Sequence, residues 1–370
     1  MPMFVSTHGK VHESLVHIAK RDQISLFKAC LIRLLAVALS LVVCAAVIYG
    51  LTGLNPAEVY AGVIDGAVGT NRRLWVTIRD ALVLLCIAVA LTPAFKMRFW
   101  NIGAEGQVLI GAVASTALMV NLNTLPNALL LPLMLLAALV AGAIWGLIPA
   151  FFKAHWNTNE TLFTLMMNYI ATQVVTFCVV FWENPAGSNS VGIVNAATHA
   201  GWLPPLFGLN YGWNLVLVLS LMALVYVYLR YSKQGYEIAY VGQSENTARY
   251  AGISVKKVIL RTMAISGAMC GLAGFMLVSG ASHTISTSTA GGRGFTAIIV
   301  AWLSKLNTFT MAFVSFFLVF LQKGASQIAT QFNLNEKASE IITGIILFFI
   351  LGCEFFIRYR VIFRGKRKAD

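Results

Sequence analysis

Charged residues are scarce in this chain. Asp, Glu, Lys and Arg make up 11% of its 370 residues, whereas hydrophobic residues make up 58%. A typical soluble domain contains about 25% charged residues. Together with a mean hydropathy of +0.76, this scarcity excludes a soluble globular protein and predicts a chain that crosses the membrane several times.

Motifs for catalysis, metal binding and disulfide formation are also missing. The six cysteines are scattered, mostly within apolar runs, and they lack the spacing of a metal site or a disulfide framework. The sequence contains no G-x-x-x-x-G-K-[ST] phosphate loop and no H-E-x-x-H zinc motif. We therefore predict a chain without enzymatic activity, metal or cofactor, so that ATP hydrolysis, if it drives this protein, must come from another subunit.

Long apolar runs indicate the fold class. A helix needs about 20 residues to cross a hydrocarbon core about 30 Å thick. Nine runs are read as spans on this basis, the eighth of them together with its flanking residues: Leu34–Gly53, Trp75–Ala94, Gly103–Leu122, Ala128–Ala150, Leu162–Trp182, Trp213–Leu229, Val258–Ser279, Met311–Leu321 and Ala338–Phe356. A tenth run, Phe295–Leu303, is too short to span alone and predicts a half-span or re-entrant helix. The expected fold is an all-α polytopic membrane helix bundle with about nine or ten membrane segments.

The placement of the positive charge predicts the topology. The net charge is +13, and Lys and Arg cluster in the first 33 residues, in 230–261 and in 358–368. Cytoplasmic loops of membrane proteins carry such an excess, so both termini are expected in the cytoplasm and the loops 54–74 and 183–212 outside. This placement argues against nucleic acid as a partner.

The same reading divides the chain into three parts. Residues 1–31 form a cytoplasmic N-terminal segment, in which Val11–Ile18 has the apolar spacing of an amphipathic surface helix. Residues 32–357 form the transmembrane domain, with a cytoplasmic loop at 231–257, and residues 358–370 form a basic cytoplasmic tail.

A polar, glycine-spaced segment interrupts the apolar runs at 101–107. It holds Asn101, Gly103, Glu105 and Gln107, and the next formally charged residue after Glu105 is Lys153. An ionisable group at membrane depth is costly unless it faces protein or water, and transporters build solute sites from broken helices of this kind. We expect these residues to line a solute path, with the alternative that Glu105 caps a neighbouring helix or bonds across the bundle.

Asn168 adds a further amide inside a predicted span. Amides and a carboxylate can donate to and accept from a neutral, hydroxyl-rich solute such as a nucleoside. Asn168 is therefore a candidate path residue, and its alternative role is an interhelical hydrogen bond.

A second informative segment lies between two apolar runs, at 244–253. Ser244 can cap a short helix there, and Gly252 can end it. Such a helix suits a partner's groove, although an ordinary solvated connector fits the pattern equally well. The candidate contact residues share this segment: Ser244, Glu245, Asn246, Ala248, Arg249, Tyr250, Ala251 and Gly252.

Four sequence motifs, in their order along the chain, resemble those of a known family. The chain reads N-I-G-A-E-G-Q at 101–107, N-E-x-x-x-T-L-M-x-N-Y-I-A at 159–171 and A-R-Y-A-G-I at 248–253, followed by G-F-T-A-I-I-V-A-W-L-S-K-L-N at 294–307. It resembles the membrane permease subunits of ATP-binding cassette (ABC) importers, in the nucleoside and simple-sugar branch of the group that includes ribose and branched-chain amino acid permeases. The similarity extends from about Leu74 through Phe356, with departures such as Ser244, Thr247 and Trp302.

The resemblance implies a function and a set of partners. Residues 244–253 would be the coupling helix that docks into a separate ATP-binding cassette subunit. The complex would also contain a second permease subunit, identical or homologous, and an extracytoplasmic substrate-binding protein, often a lipoprotein, and it would lie in the lipid of a bacterial inner membrane. It would import nucleosides or simple sugars. The alternative is a self-sufficient ion-coupled transporter that uses Glu105 as a proton or sodium site.

Overall fold

Helices long enough to cross a membrane dominate the structure. The computed structural model describes residues 16–20, 25–53, 55–206 and 208–332, and short pieces between 341 and 363. Within these residues, six helical segments have the length and apolar composition of membrane spans: 71–96, 127–156, 160–181, 212–231, 255–282 and 308–331. The prediction of a polytopic helical membrane protein is therefore confirmed.

The chain divides into two compact units, of which the first combines 1–66 with 322–370. Its described elements are strand β1 (Val16–Lys20), helix α1 (Leu26–Thr52), most of α2 (Pro56–Val68) and strand β2 (Tyr359–Phe363). The strands β1 and β2 pair antiparallel, with Val16 opposite Phe363.

The second unit comprises residues 67–321. Its elements are α3 (Asn71–Lys96), α4 (Ala104–Asn121), α5 (Asn127–Trp156), α6 (Glu160–Phe181), α7 (Gly212–Tyr231), α8 (Lys233–Gln243), α9 (Glu245–Tyr250), α10 (Val255–Leu277) with a π-helical turn (Val278–Ser282), α11 (Arg293–Leu303) and the first part of α12 (Thr308–Gln331). Every residue of α3 from Asp80 to Phe95 is buried, and α10 is buried along most of its length. These two apolar helices form the centre of the unit.

Glycines bring α5 and α10 into close contact. A Cβ atom added to Gly142 would lie 2.3 Å from the carbonyl oxygen of Gly267, and one added to Gly271 would lie 2.1 Å from that of Ala138. Only hydrogen fits at these positions. Small residues four apart allow this backbone approach in membrane bundles, where van der Waals packing drives helix association.

Most predicted spans are confirmed as helices. The seven segments from Trp75–Ala94 to Met311–Leu321 coincide with α3, α4, α5, α6, α7, α10 and α12. The predicted half-span is α11, whose 11 residues extend only about 16 Å at about 1.5 Å per residue. The predicted span Ala338–Phe356 falls largely outside the described residues.

Two local predictions were wrong. The segment 54–74, predicted as a loop, contains helix α2, which begins at Pro56. Proline is favoured at the first helical position. The preceding residue, Asn55, accepts a hydrogen bond from the Ala57 amide at 3.1 Å. The part of the proposed amphipathic helix that the structure describes, residues 16–18, belongs to strand β1 because it pairs with residues 361–363 of the basic tail. Helix α1 begins at Leu26, where Ser25 caps it, and the division of the chain at residue 31 stays a prediction.

Candidate functional site

The turn between α3 and α4 is held by a network of buried amides. Asn101 is fully buried, and its Nδ2 donates to Gln107 Oε1 at 3.2 Å and to Ser266 Oγ at 3.3 Å. Its Oδ1 accepts from the Gly103 amide at 3.1 Å and from Gln107 Nε2 at 3.3 Å. Ser266 in turn donates to the Ala90 carbonyl at 2.8 Å. The network thus connects the turn with α10 and α3.

Asn168 connects the same turn with α6. Its Oδ1 accepts from the Gly106 amide at 2.8 Å, and its Nδ2 donates to the Ile102 carbonyl at 2.9 Å. The Thr164 hydroxyl accepts from the Ile102 amide at 3.2 Å. Amide groups that have no intrahelical partner at a helix start are satisfied here by side chains. Asn168 therefore makes interhelical hydrogen bonds, and its contact with solute stays a prediction.

Glu105 contacts the start of the half-helix α11. Its Oε1 accepts from the Gly292 amide at 2.7 Å and its Oε2 from the Gly294 amide at 2.6 Å. A carboxylate is favoured at the positive end of a helix, and hydrogen bonds to a charged acceptor are stronger than neutral ones. The residue is partly exposed. Glu105 thus makes the capping contact that the sequence offered as an alternative, and its contact with solute stays a prediction.

A second ionic contact fixes the same end of α11. Asp80 on α3 is 3% exposed, and it pairs with Arg79 at 2.8 Å and with Arg293 at 3.7 Å. The Arg79 guanidinium also lies over the Tyr211 ring, 5.2 Å from its centroid. The first turn of α11 is therefore held from α3 and from α4.

The structure places the five predicted path residues in two groups. Asn101, Gly103, Gln107 and Asn168 lie around the α3–α4 turn, and Glu105 faces α11. Sequence reasoning missed their partners Thr164, Ser266, Gly292 and Gly294. Thr164 and Gly294 stand inside the quoted motifs, whereas no sequence signal distinguishes Ser266 from other serines in apolar runs.

The predicted short helix is confirmed as α9. Ser244 Oγ accepts from the Thr247 amide at 3.3 Å, and Gly252, with φ of 76°, follows the helix in the left-handed conformation. Ala248 is fully buried in an apolar cluster that includes Ile238 and Val258. One side of α9 is therefore fixed on the bundle.

The other side of α9 is exposed. Tyr250 is 93% exposed, the largest value among the exposed apolar and aromatic side chains of the described residues. Arg249 lies 3.8 Å from Glu245 in an exposed pair, which contributes little to stability. Asn246 and Ala251 are exposed as well. A partner can therefore contact a carboxylate, an amide, a guanidinium group and an aromatic ring on this side of α9.

An aromatic stack lies at the end of α10 opposite α9. The Trp202 ring stacks between His199 and His283, with centroid distances of 4.4 and 3.8 Å. Its Nε1 donates to the Val194 carbonyl at 3.0 Å, and the Val194 amide donates to the His283 carbonyl at 2.8 Å. The loop 183–211 is therefore folded onto the π-helical turn after α10, which spacing alone did not indicate.

Comparison with known proteins identifies the family. Residues 75–351 match the family described as "Branched-chain amino acid transport system / permease component". The chain is 31% identical to the glucose ABC transporter permease protein TsgB13 of Haloferax volcanii, over 83% of each chain. It is 29% identical to the nucleoside ABC transporter permease protein NupB of Lactococcus lactis, over 80% of this chain and 84% of the relative. It is also 29% identical to the guanosine ABC transporter permease protein NupP of Bacillus subtilis, over 86% and 92%, respectively.

The matched region contains the amide network, the Glu105 contact with α11 and the exposed helix α9. It also contains five of the six helical segments with the properties of membrane spans in full, and all but the first four residues of the sixth, 71–96. The chain is a multi-pass membrane protein that belongs to this family of ABC transporter permeases.

Proposed function

We propose that this chain is the membrane-spanning subunit of a bacterial inner-membrane ABC importer for nucleosides or simple sugars. The relatives named for glucose, nucleoside and guanosine transport support this solute class. ATP hydrolysis is assigned to a separate cassette subunit, because the sequence lacks a phosphate loop.

The structure of α9 carries the coupling part of the proposal. A helix that transmits motion from a partner needs one side fixed on its own domain and one side accessible. Ala248 supplies the fixed side, and Arg249 and Tyr250 supply the accessible one. Insertion of such a helix into a groove of the cassette subunit would couple closure of the cassettes to movement of α8 and α10.

The polar turn and α11 are assigned to the solute path. The polar atoms of Asn101, Gln107 and Asn168 already have protein partners, so solute would reach them only after α4 moves relative to α6 or α10. Glu105 is partly exposed and lies at the start of a half-helix. Movement of α11 away from Glu105 would open the path and release its carboxylate toward a hydroxyl-bearing solute.

Two further partners complete the proposed complex. A second permease subunit, identical or homologous, would form the path together with this chain. An extracytoplasmic binding protein would dock on the loop 183–211, which the contacts of Trp202 and Asn195 hold in a defined conformation.

The test is purification of the tagged chain from its native membrane, followed by uptake measurements in proteoliposomes. We expect a cassette ATPase and a second permease to co-purify in stoichiometric amounts. Uptake of labelled guanosine or glucose should require ATP and the binding protein. Ion-gradient-dependent uptake by the chain alone would contradict the proposal and support the ion-coupled alternative.

A further inference from the structure

A basic cavity lies at the end of the second unit that carries α9. It has a volume of about 470 Å³ and lies among the C-terminus of α3, the C-terminus of α7 and the turn between α11 and α12. Three of its lining residues are cations, namely Lys96, Arg230 and Lys305, and none of the described lining residues is acidic. One water occupies about 30 Å³ in the liquid. The cavity therefore has room for a phosphate group together with several waters, in a positive environment.

The three cations come from three separate elements. Lys96 ends α3, Arg230 lies in the last turn of α7, and Lys305 follows α11. Lys305 and Leu306 have φ values of 51° and 58°, which residues with a Cβ atom rarely adopt in succession. The surrounding structure holds this turn in a disfavoured conformation, and the turn places Lys305 at the cavity. Backbone strain of this kind is often associated with binding sites.

The start of α12 adds a hydrogen-bond donor. Thr308 lines the cavity and is 4% exposed, yet its Oγ1 has no partner among the described residues. An unpaired buried hydroxyl is costly and calls for a ligand or water. The positive end of the 24-residue helix α12 lies at the same place, and helix N-termini favour phosphate. The amides of Phe309 and Thr310 already donate to Asn307 Oδ1 at 3.0 and 3.4 Å. The helix therefore adds a positive electrostatic contribution, and the Thr308 hydroxyl adds a hydrogen-bond donor for an anion.

Apolar side chains extend from the cavity along the outside of the bundle. Phe309 and Phe313, four residues apart on α12, are 61% and 72% exposed. The Tyr226 ring, which lines the cavity, packs against Phe309 with a centroid distance of 5.5 Å. A soluble anion would use the cavity but not this surface. A ligand with an anionic head and acyl chains would use both.

We propose that this cavity binds the phosphate headgroup of an anionic phospholipid. The phosphate oxygens would accept from Lys96, Arg230, Lys305 and the Thr308 hydroxyl, and the acyl chains would lie along Phe309 and its neighbours. Basic pockets between membrane helices bind anionic lipid headgroups in this way. The proposed coupling role of α9 places this end of the unit at the cytoplasmic side, and therefore the lipid in the cytoplasmic leaflet. The lipid binding itself does not depend on the coupling role.

The test is native mass spectrometry of the full-length protein in mild detergent, with its co-purifying subunits, titrated with dioleoylphosphatidylglycerol or dioleoylphosphatidylcholine. We expect the anionic lipid to bind more tightly. The double variant R230Q/K305Q should weaken that preference about 25-fold, since each juxtamembrane cation contributes about fivefold in affinity. The matched variant K256Q/K257Q removes two exposed cations outside the cavity and should bind the anionic lipid like the wild type.

Two further measurements decide the remaining cases. R230K/K305R keeps both charges and should keep the lipid preference, which separates loss of charge from damage to the fold. Inorganic phosphate should not displace the lipid, and displacement by low phosphate concentrations would identify the ligand as a soluble anion and overturn the lipid assignment. Equal binding of the two lipids, or unchanged binding in R230Q/K305Q, would also overturn it. These readouts are independent of transport, so they separate failure of the lipid site from failure of the proposed importer function.

Discussion

The carboxylate of Glu105 accepts a hydrogen bond from the backbone amide of Gly294 at 2.6 Å, across 189 residues of sequence. Its other oxygen accepts from the Gly292 amide. One side chain on α4 thus satisfies two amides at the start of α11. A half-helix too short to span the membrane depends on such contacts for its position, because it has few intrahelical hydrogen bonds relative to its free ends.

We expect Glu105→Ala to lower the free energy of unfolding by about 2–3 kcal/mol, because two hydrogen bonds to a charged acceptor are lost. Glu105→Gln keeps one carbonyl acceptor and should lose about half as much. Denaturant unfolding in detergent measures both changes in the free energy of unfolding. Glu58→Gln, at an exposed acid in the first turn of α2, is the control and should change stability by less than about 0.5 kcal/mol.

The same variants separate the two roles of Glu105. A residue that only positions α11 should lower stability and transport together in both variants. A residue that also contacts solute should raise KM in Glu105→Gln by more than the loss of stability explains. Unchanged unfolding in Glu105→Ala would show that the contact with Gly292 and Gly294 does not stabilise α11.

The contact between α5 and α10 gives a steric prediction. Gly142→Ala places a methyl group 2.3 Å from the Gly267 carbonyl oxygen, so the helices must separate, at a cost of about 1–3 kcal/mol. The melting temperature in detergent should fall. Gly50→Ala in α1 is the matched control because, among the described residues, no atom outside its own helical turn lies within 4 Å of the added methyl group, and alanine is the better helix former. A stable Gly142→Ala variant would contradict the described packing.

Local features of the sequence predicted much of the fold. Ser244 and Gly252 delimit α9 because capping and left-handed conformation depend on neighbouring residues. The apolar run at 295–303 predicts the half-helix α11, because a run of this length is too short to span the membrane. Asn55 and Pro56 carry a helix-start signal, but the short distance between the apolar runs that flank them favours a simple connection.

Contacts between distant residues could not be predicted. Glu105 had several chemically reasonable partners, including solute, and only the three-dimensional arrangement brings Gly292 and Gly294 to it. The sequence predicts a helix over the region of strand β1 because Val11, Leu15 and Ile18 have helical apolar spacing, whereas the strand's partner lies more than 300 residues further on. The sequence thus located the polar candidates but not what each of them binds.

The exposed side of α9 gives a prediction about coupling. Tyr250→Ala should abolish co-purification of the cassette ATPase and ATP-dependent uptake. The free energy of unfolding of the variant should lie within about 0.5 kcal/mol of the wild-type value. The Tyr250 side chain is 93% exposed, so its truncation removes no described packing. Tyr49→Ala, at a tyrosine 66% exposed in α1, is the control and should retain the ATPase. Retention of the ATPase by Tyr250→Ala would remove this residue from the interface.

The Trp202 stack gives a pH prediction. Burial lowers the pKa of His283 below its ordinary value of 6.5. A hydrogen bond to the Val278 backbone opposes this shift in part, and the nearby His199 and Arg79 make smaller contributions that lower the pKa. Below about pH 6.5 the unfolded chain therefore binds more protons at this residue than the folded chain does. Stability must rise with pH in that range and fall as the solution is acidified.

We therefore expect the melting temperature of the protein to decrease from about pH 7.5 to about pH 5.5, where histidines titrate. His283→Asn should flatten this dependence, and asparagine tolerates the left-handed φ of 52° found there. The variant also loses the ring stacked on Trp202, so it should be less stable at neutral pH while being less sensitive to acid. Equal slopes in wild type and His283→Asn would mean that protonation of His283 does not oppose the folding of loop 183–211 onto the bundle.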